Sequence, residues 1–174
     1  LLANGKPDPI FNPGDGPNGS IRKIIVQPDG KILAAGSFTT FNGISSGGLV
    51  RLNADGSLDQ SFLIGTGASG QVFALALQTD GKVVIGGDFN TFNSTPRVRL
   101  ARINPNGSVD TTFNPGTGPD DRVLECAVRP TGEILIAGNF ENYAGTSRPR
   151  VARITSTGAL DSSFNPGSGA NDFV

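Results

Sequence analysis

The hydrophobic positions of this chain come in short runs, and the runs recur. Ile32-Leu33-Ala34-Ala35 returns 51 residues later as Val83-Val84-Ile85-Gly86, and again as Ile134-Leu135-Ile136-Ala137. In the first copy Gln27-Pro28-Asp29-Gly30-Lys31 precedes the run and Gly36-Ser37-Phe38 follows it, and both later copies keep that frame. A fixed period of about 50 residues marks a repeat architecture. No segment sustains apolar residues at the spacing of a helix face, so the pattern predicts strands and essentially no helix.

Each repeat reads as four strands. The first covers residues 21–27, 72–78 and 123–129, with Ile24 and Val26, Leu75 and Leu77, and Cys126 and Val128 on one face. That alternation belongs to a half-buried strand. The second, at 31–37, 82–88 and 133–139, is apolar on both faces and suits a central position. The third falls at 49–53, 100–104 and 151–155, and the fourth at 57–62, 108–113 and 159–164. Full repeats therefore span 20–70, 71–121 and 122–172. Residues 1–19 match the end of a repeat, because Asp8, Phe11, Gly14 and Gly16 stand 51 positions before Asp59, Phe62, Gly65 and Gly67. The chain is expected to open on the last strand of a unit, and residues 173–174 to begin a further first strand.

Turn chemistry sets the pairing. Pro28-Asp29-Gly30 offers a fixed φ at Pro, a turn-favouring Asp and a positive φ at Gly, which predicts a three-residue hairpin loop between the first and second strands. Ala54-Asp55-Gly56 and Pro105-Asn106-Gly107 predict the same loop between the third and fourth. If Asn53 faces Ser57, then Arg51 faces Asp59, Arg102 faces Asp110 and Arg153 faces Asp161. Such a cross-strand ion pair contributes roughly 0.2–1 kcal/mol and reads as a structural clamp. Phe38, Phe89 and Phe140, with Phe62, Phe113 and Phe164, are expected to pack between repeats.

Two segments per repeat are irregular: the connections at 39–48, 90–99 and 141–150, and the junctions between repeats. Loops on a stiff repeat scaffold are favoured binding positions. The expected contact face is the set of connections, carrying Phe41, Asn42, Phe92, Asn93, Arg97, Arg99, Tyr143, Arg148 and Arg150. Exposed aromatics beside Asn and Arg would suit a protein partner or a glycan.

Composition narrows the chemistry. Formal net charge is −1, which gives no electrostatic reason to expect nucleic acid or an anionic membrane, and no apolar run is long enough for a membrane-spanning helix. There is no His, so neither a Ser-His-Asp triad nor a Cys-His pair can form within the sequence, and zinc sites built from His and Cys are excluded. Cys126 replaces Ile24 and Leu75 of the other copies and is read as a small buried apolar residue. No catalytic residue is expected. No cofactor is expected either, although the run from Asn53 to Asp59 has a faint likeness to a calcium loop whose glycine spacing is wrong. The chain has no Met, and the expectation is a processed protein or a piece of a longer one.

The run Gln27 to Phe38, then Phe41-Asn42-Gly43, then Leu49 to Phe62 resembles the delta-60 repeat. The resemblance extends over essentially the whole chain, and the third copy departs from it at Thr131, Glu133, Ala144 and Thr155. It implies β-propeller blades, found in tandem in large bacterial proteins, many of them secreted or surface-exposed. Four antiparallel strands per repeat fit one blade, with a threefold β-trefoil as the competing architecture. Three blades are too few for a ring, so further blades are expected from the same longer chain or a second copy. The expected function is a non-enzymatic extracellular interaction or structural module; the alternative is a lectin with one weak glycan site per repeat.

Overall fold

A computed structural model describes residues 2–170, so the expected strand start at 173–174 lies outside the described residues. Within them are fifteen short strands and no helix. Strands β1 (Ile21–Val26), β2 (Ile32–Gly36) and β5 (Leu49–Leu52) form one antiparallel sheet, in the order β1-β2-β5. Strands β6 (Gln71–Leu77), β7 (Val83–Asp88) and β10 (Leu100–Ile103) form the second. Strands β11 (Val123–Val128), β12 (Ile134–Gly138) and β15 (Val151–Ile154) form the third. In each sheet the strand that is apolar on both faces is central, between the other two.

The first hairpin loop forms as its residues dictate. Gln27 N donates to Lys31 O at 2.7 Å, and Gly30 sits at φ 83°, where a side chain would be strained. Each β1-type strand carries a bulge near its start, between Ile21 and Lys23, Val72 and Ala74, and Val123 and Glu125. The bulge brings the partner strand's backbone very close. A Cβ added at Gly87 would lie 2.1 Å from Gln71 O, so only glycine fits there.

Two expectations need correction. The fourth strand is reduced to one bridge per repeat, Leu52 with Leu58, Ile103 with Val109, and Ile154 with Leu160. The chain leaves the sheet immediately afterwards, because Asp59 Oδ1 accepts from both Ser61 N and Ser61 Oγ and bends it. The sheets are therefore three-stranded with a one-residue fringe. The described part of the leading segment, residues 2–19, likewise makes only a bridge, Pro17 with Phe41, and not a strand. Second, the connections are not wholly irregular. Each folds a two-residue hairpin: β3 (Thr40–Phe41) with β4 (Ile44–Ser45), β8 (Thr91–Phe92) with β9 (Thr95–Pro96), and β13 (Asn142–Tyr143) with β14 (Thr146–Ser147). Asn42 and Gly43 turn it with φ of 49° and 74°.

The two larger apolar clusters lie between sheets, whereas a smaller one, Ala34, Phe38, Phe41, Val50 and Leu52, lies within the first repeat, so Phe38 packs there and not between repeats. Leu33, Leu49, Phe62 and Ile64 of the first repeat meet Leu75, Ile85, Phe89, Phe92 and Ile103 of the second. Leu100 and Phe113 of the second meet Ile134, Ile136, Phe140 and Tyr143 of the third. Each repeat completes its own sheet and stacks it on the next, which is blade packing and removes the β-trefoil alternative.

Candidate functional site

One polar device recurs in every blade and is buried in the first two. Arg51 on β5 donates from Nε to Asp59 Oδ2 at 2.7 Å, and Arg102 on β10 from Nε to Asp110 Oδ2 at 2.8 Å. In the third blade Arg153 on β15 holds Asp161 at 2.7 Å. The guanidinium also covers the aromatic that follows, 4.5 Å from the Phe62 centroid and 5.0 Å from that of Phe113. Arg51 and Asp59 are 8% and 6% exposed, and Arg102 and Asp110 are 7% and 4%. Burial works to raise the Asp59 carboxyl, but hydrogen bonds from Lys31, Ser61 and Arg51 outweigh it and hold the group well below the usual range. Asp110 is held down the same way by Thr112, Lys82 and Arg102.

The sequence register places these pairs within a blade. It does not reveal that they also reach across the seam. Arg51 Nη1 donates to Pro105 O at 2.7 Å, in the hairpin loop of the next blade. Arg102 Nη1 donates to Ser156 O, the equivalent carbonyl one blade further on, at 2.5 Å. Both acceptors lie 54 residues beyond their arginine, one repeat and three positions on.

The expected contact face divides in two. Phe41, Phe92 and Tyr143 are 1%, 0% and 0% exposed, so the expectation of surface aromatics is corrected. The hairpins turn Phe92 and Tyr143 inward into the cores between blades and Phe41 into a cluster within the first repeat, and Tyr143 donates its hydroxyl to Gly158 O at 2.6 Å. Asn42 and Asn93 are likewise committed to the fold. Asn42 Oδ1 accepts from Gly16 N at 2.8 Å while its Nδ2 donates to Pro13 O, and Asn93 Oδ1 accepts from Gly67 N at 3.0 Å. These amides pin the junction loops and are not free for a ligand.

The arginines stand differently. Arg97 and Arg148 occupy the place of Ser46, and Arg99 and Arg150 the place of Gly48. Arg97 N, Arg148 N and Ser46 N donate to Asn90 O, Glu141 O and Thr39 O, so the backbone course is shared. Arg99 and Arg150 lie at φ 58° and 67°, a region that costs a non-glycine residue of order 1 kcal/mol. Arg99 Nη1 reaches Pro119 O at 3.2 Å, and Arg150 pairs with Glu141 at 3.0 Å. No carboxylate meets Arg97, Arg99 or Arg148 among the described residues.

Other chemistry is constrained. The carboxyls displaced from their ordinary values, Asp55, Asp59, Asp110, Asp120, Glu133 and Asp161, are all displaced downward. Cys126 is buried, with Sγ 3.7 Å from Val84 O, and burial pushes its thiol up to about 12. In the run read as a faint calcium loop, Asp59 Oδ2 already carries Arg51 and Lys31, so a cation there would have to displace two positive groups.

Comparison with curated proteins found no match. Residues 27–62, 78–113 and 129–164 match a family described as a β-propeller domain of unknown function, DUF5122. The matched spans repeat at the 51-residue period and contain the central strand, the connection hairpin and the arginine–aspartate clamp of each blade. The chain belongs to this family of β-propeller repeats.

Proposed function

We propose that the chain is a non-enzymatic propeller module, working outside the bacterial cell, that binds a protein partner through the blade edge bearing Arg97, Arg99, Arg148 and Arg150. The observation that carries the reading is the strained backbone under Arg99 and Arg150, in a position where the first blade uses Gly48 without strain. A guanidinium is placed there at a conformational cost, and three of the four meet no carboxylate among the described residues. Arginine forks recognise carboxylates in two-point geometry, so an acidic protein surface is the partner chemistry. The extracellular setting rests on the resemblance drawn from the sequence alone. The lectin alternative loses its support, because the aromatics it needed lie under the surface.

A polyglutamate-coated sensor surface tests this. Wild type is expected to bind, less so as salt is raised, and a variant with Arg97→Ser, Arg148→Ser, Arg99→Gly and Arg150→Gly to lose binding without a lower melting temperature. Equal retention of the two proteins, or none of wild type, would contradict the assignment.

A further inference from the structure

The three repeats act as controls for one another, and the first departs from the other two around one cavity. It measures about 280 Å³ and opens between the β3–β4 hairpin, β5 and the junction loop that follows Phe62. Val50 and Leu58 line it from the smaller apolar cluster, and Phe62 and Ile64 from a larger one. Ile44, Ser46 and Leu63 line it as well. Four of these positions change character between repeats. Ile44 stands where the others have Thr95 and Thr146, and Ser46 where they have Arg97 and Arg148. Leu63 stands where they have Asn114 and Asn165, and Ile64 where they have Pro115 and Pro166. Two of the changes turn a polar side chain apolar, and a third removes a charge.

The leucine gives up a bond that the other junctions keep. Asn12, Asn114 and Asn165 each accept through Oδ1 from the amide two residues on, those of Gly14, Gly116 and Gly167, and so cap their loops. Leu63 cannot make that bond, and its side chain is 71% exposed; Ile44, on the same cavity, is 50% exposed. Two large apolar side chains left in water around one cavity mark a contact surface. The cavity holds charge, but none to spare. Arg51 donates Nε to Asp59, Nη1 to Pro105 O and Nη2 to Ser61 Oγ. Asp59 accepts through both of its oxygens. A charged ligand finds no partner in that pair. The volume also lies below the roughly 300–1,000 Å³ of sites that enclose a drug-sized ligand. One apolar side chain suits it, and the protein that carries the side chain supplies the orientation that free polar groups would otherwise give.

The cavity adjoins the arginine edge. Gly65, part of its lining, lies so close to the second blade that an added Cβ would be 2.7 Å from Asn93 Oδ1. Asn93 sits in the turn of the β8–β9 hairpin, and that hairpin runs directly into Arg97. We propose that the cavity receives one aliphatic or aromatic side chain of the acidic protein that the arginines of the second and third blades bind. The inference rests on the arginine-edge reading and adds an anchor to it. An apolar anchor seated in a pocket beside charged contacts is the arrangement that concentrates binding energy at protein interfaces.

Two fluorescein-labelled peptides test it, each with four glutamates on either side of a central Phe or a central Ala. They are titrated with the 174-residue chain and followed by fluorescence anisotropy. The Phe peptide is expected to bind about tenfold more tightly than the Ala peptide. It should also shift the methyl NMR signals of Ile44, Leu63 and Ile64, which the Ala peptide leaves in place. A variant with Ile44→Thr and Leu63→Asn takes the residue types of the other repeats. In it the Phe peptide should fall to the affinity of the Ala peptide, and the Ala peptide should bind as to wild type. Both replaced side chains are exposed, and Leu63→Asn supplies the missing loop cap, so the melting temperature should not fall. Equal binding of the two peptides to wild type, or a preference for Phe that the variant keeps, would overturn the proposal and leave the arginine edge standing. Binding of neither peptide would overturn both.

Discussion

At the scale of the residue, the arginine–aspartate clamp carries the largest single consequences. Arg102→Ala leaves the buried Asp110 with Lys82 and the Thr112 hydrogen bonds but without its guanidinium, removes the bond to Ser156 O, and should cost about 3–5 kcal/mol in urea unfolding. Arg102→Ala with Asp110→Ala should cost less than the single change, because no uncompensated charge remains. Arg153→Ala should cost about 1 kcal/mol or less, since Arg153 and Asp161 are 20% and 17% exposed and no further blade receives the arginine among the described residues. The clamp also fixes the acid response. Asp59 and Asp110 have folded-state pKa values below their unfolded ones, so the unfolded chain binds more protons in between. Their stabilisation is fully present above about pH 4 and is lost as pH falls through the folded values. Melting temperature should therefore drop on acidification from about pH 4 downward, and the drop should be shallower in a variant with Asp59→Asn and Asp110→Asn.

At the scale of the element, the blade depends on close backbone approach at its bulge. Gly87→Ala places a methyl 2.1 Å from Gln71 O, so the β6–β7 ladder must open locally. Amide exchange in β6 should accelerate strongly, and stability should fall by more than the ~1 kcal/mol of an ordinary strand substitution. The strands themselves were legible, because alternation and turn residues agree at Gln27 to Gly36 and at its two copies. The fourth strand misled because Leu58 continues the alternation for one residue. The signal against it was Asp59-Gln60-Ser61, whose first side chain caps the turn. The hairpin at Asn42-Gly43 was also legible as a two-residue turn, but the strands on either side hold two residues each and show no alternation. Burial of Phe41, Phe92 and Tyr143 was not legible, since it depends on which way those hairpins fold over the seam. The clamp pairs followed from register alone, whereas their crossing bonds required the spatial order of the blades.

At the scale of the molecule, the three blades are sequence equivalents in unequal surroundings. The middle sheet lies between two others, whereas each of the outer two has a neighbouring sheet on one side only among the described residues. Phe113→Ala, in the seam between the second and third blades, should cost about 3–5 kcal/mol, whereas Phe11→Ala should cost less than about 1 kcal/mol. The same inequality tests the central claim, that the chain is a row of blades and not a threefold closed fold. Residue-resolved hydrogen exchange of the 174-residue chain should find the slowest amides in β7, with equivalent amides of β2 and β12 exchanging faster. Equal protection of the three equivalent strands would contradict the blade row, because it would require all three sheets to be equally covered.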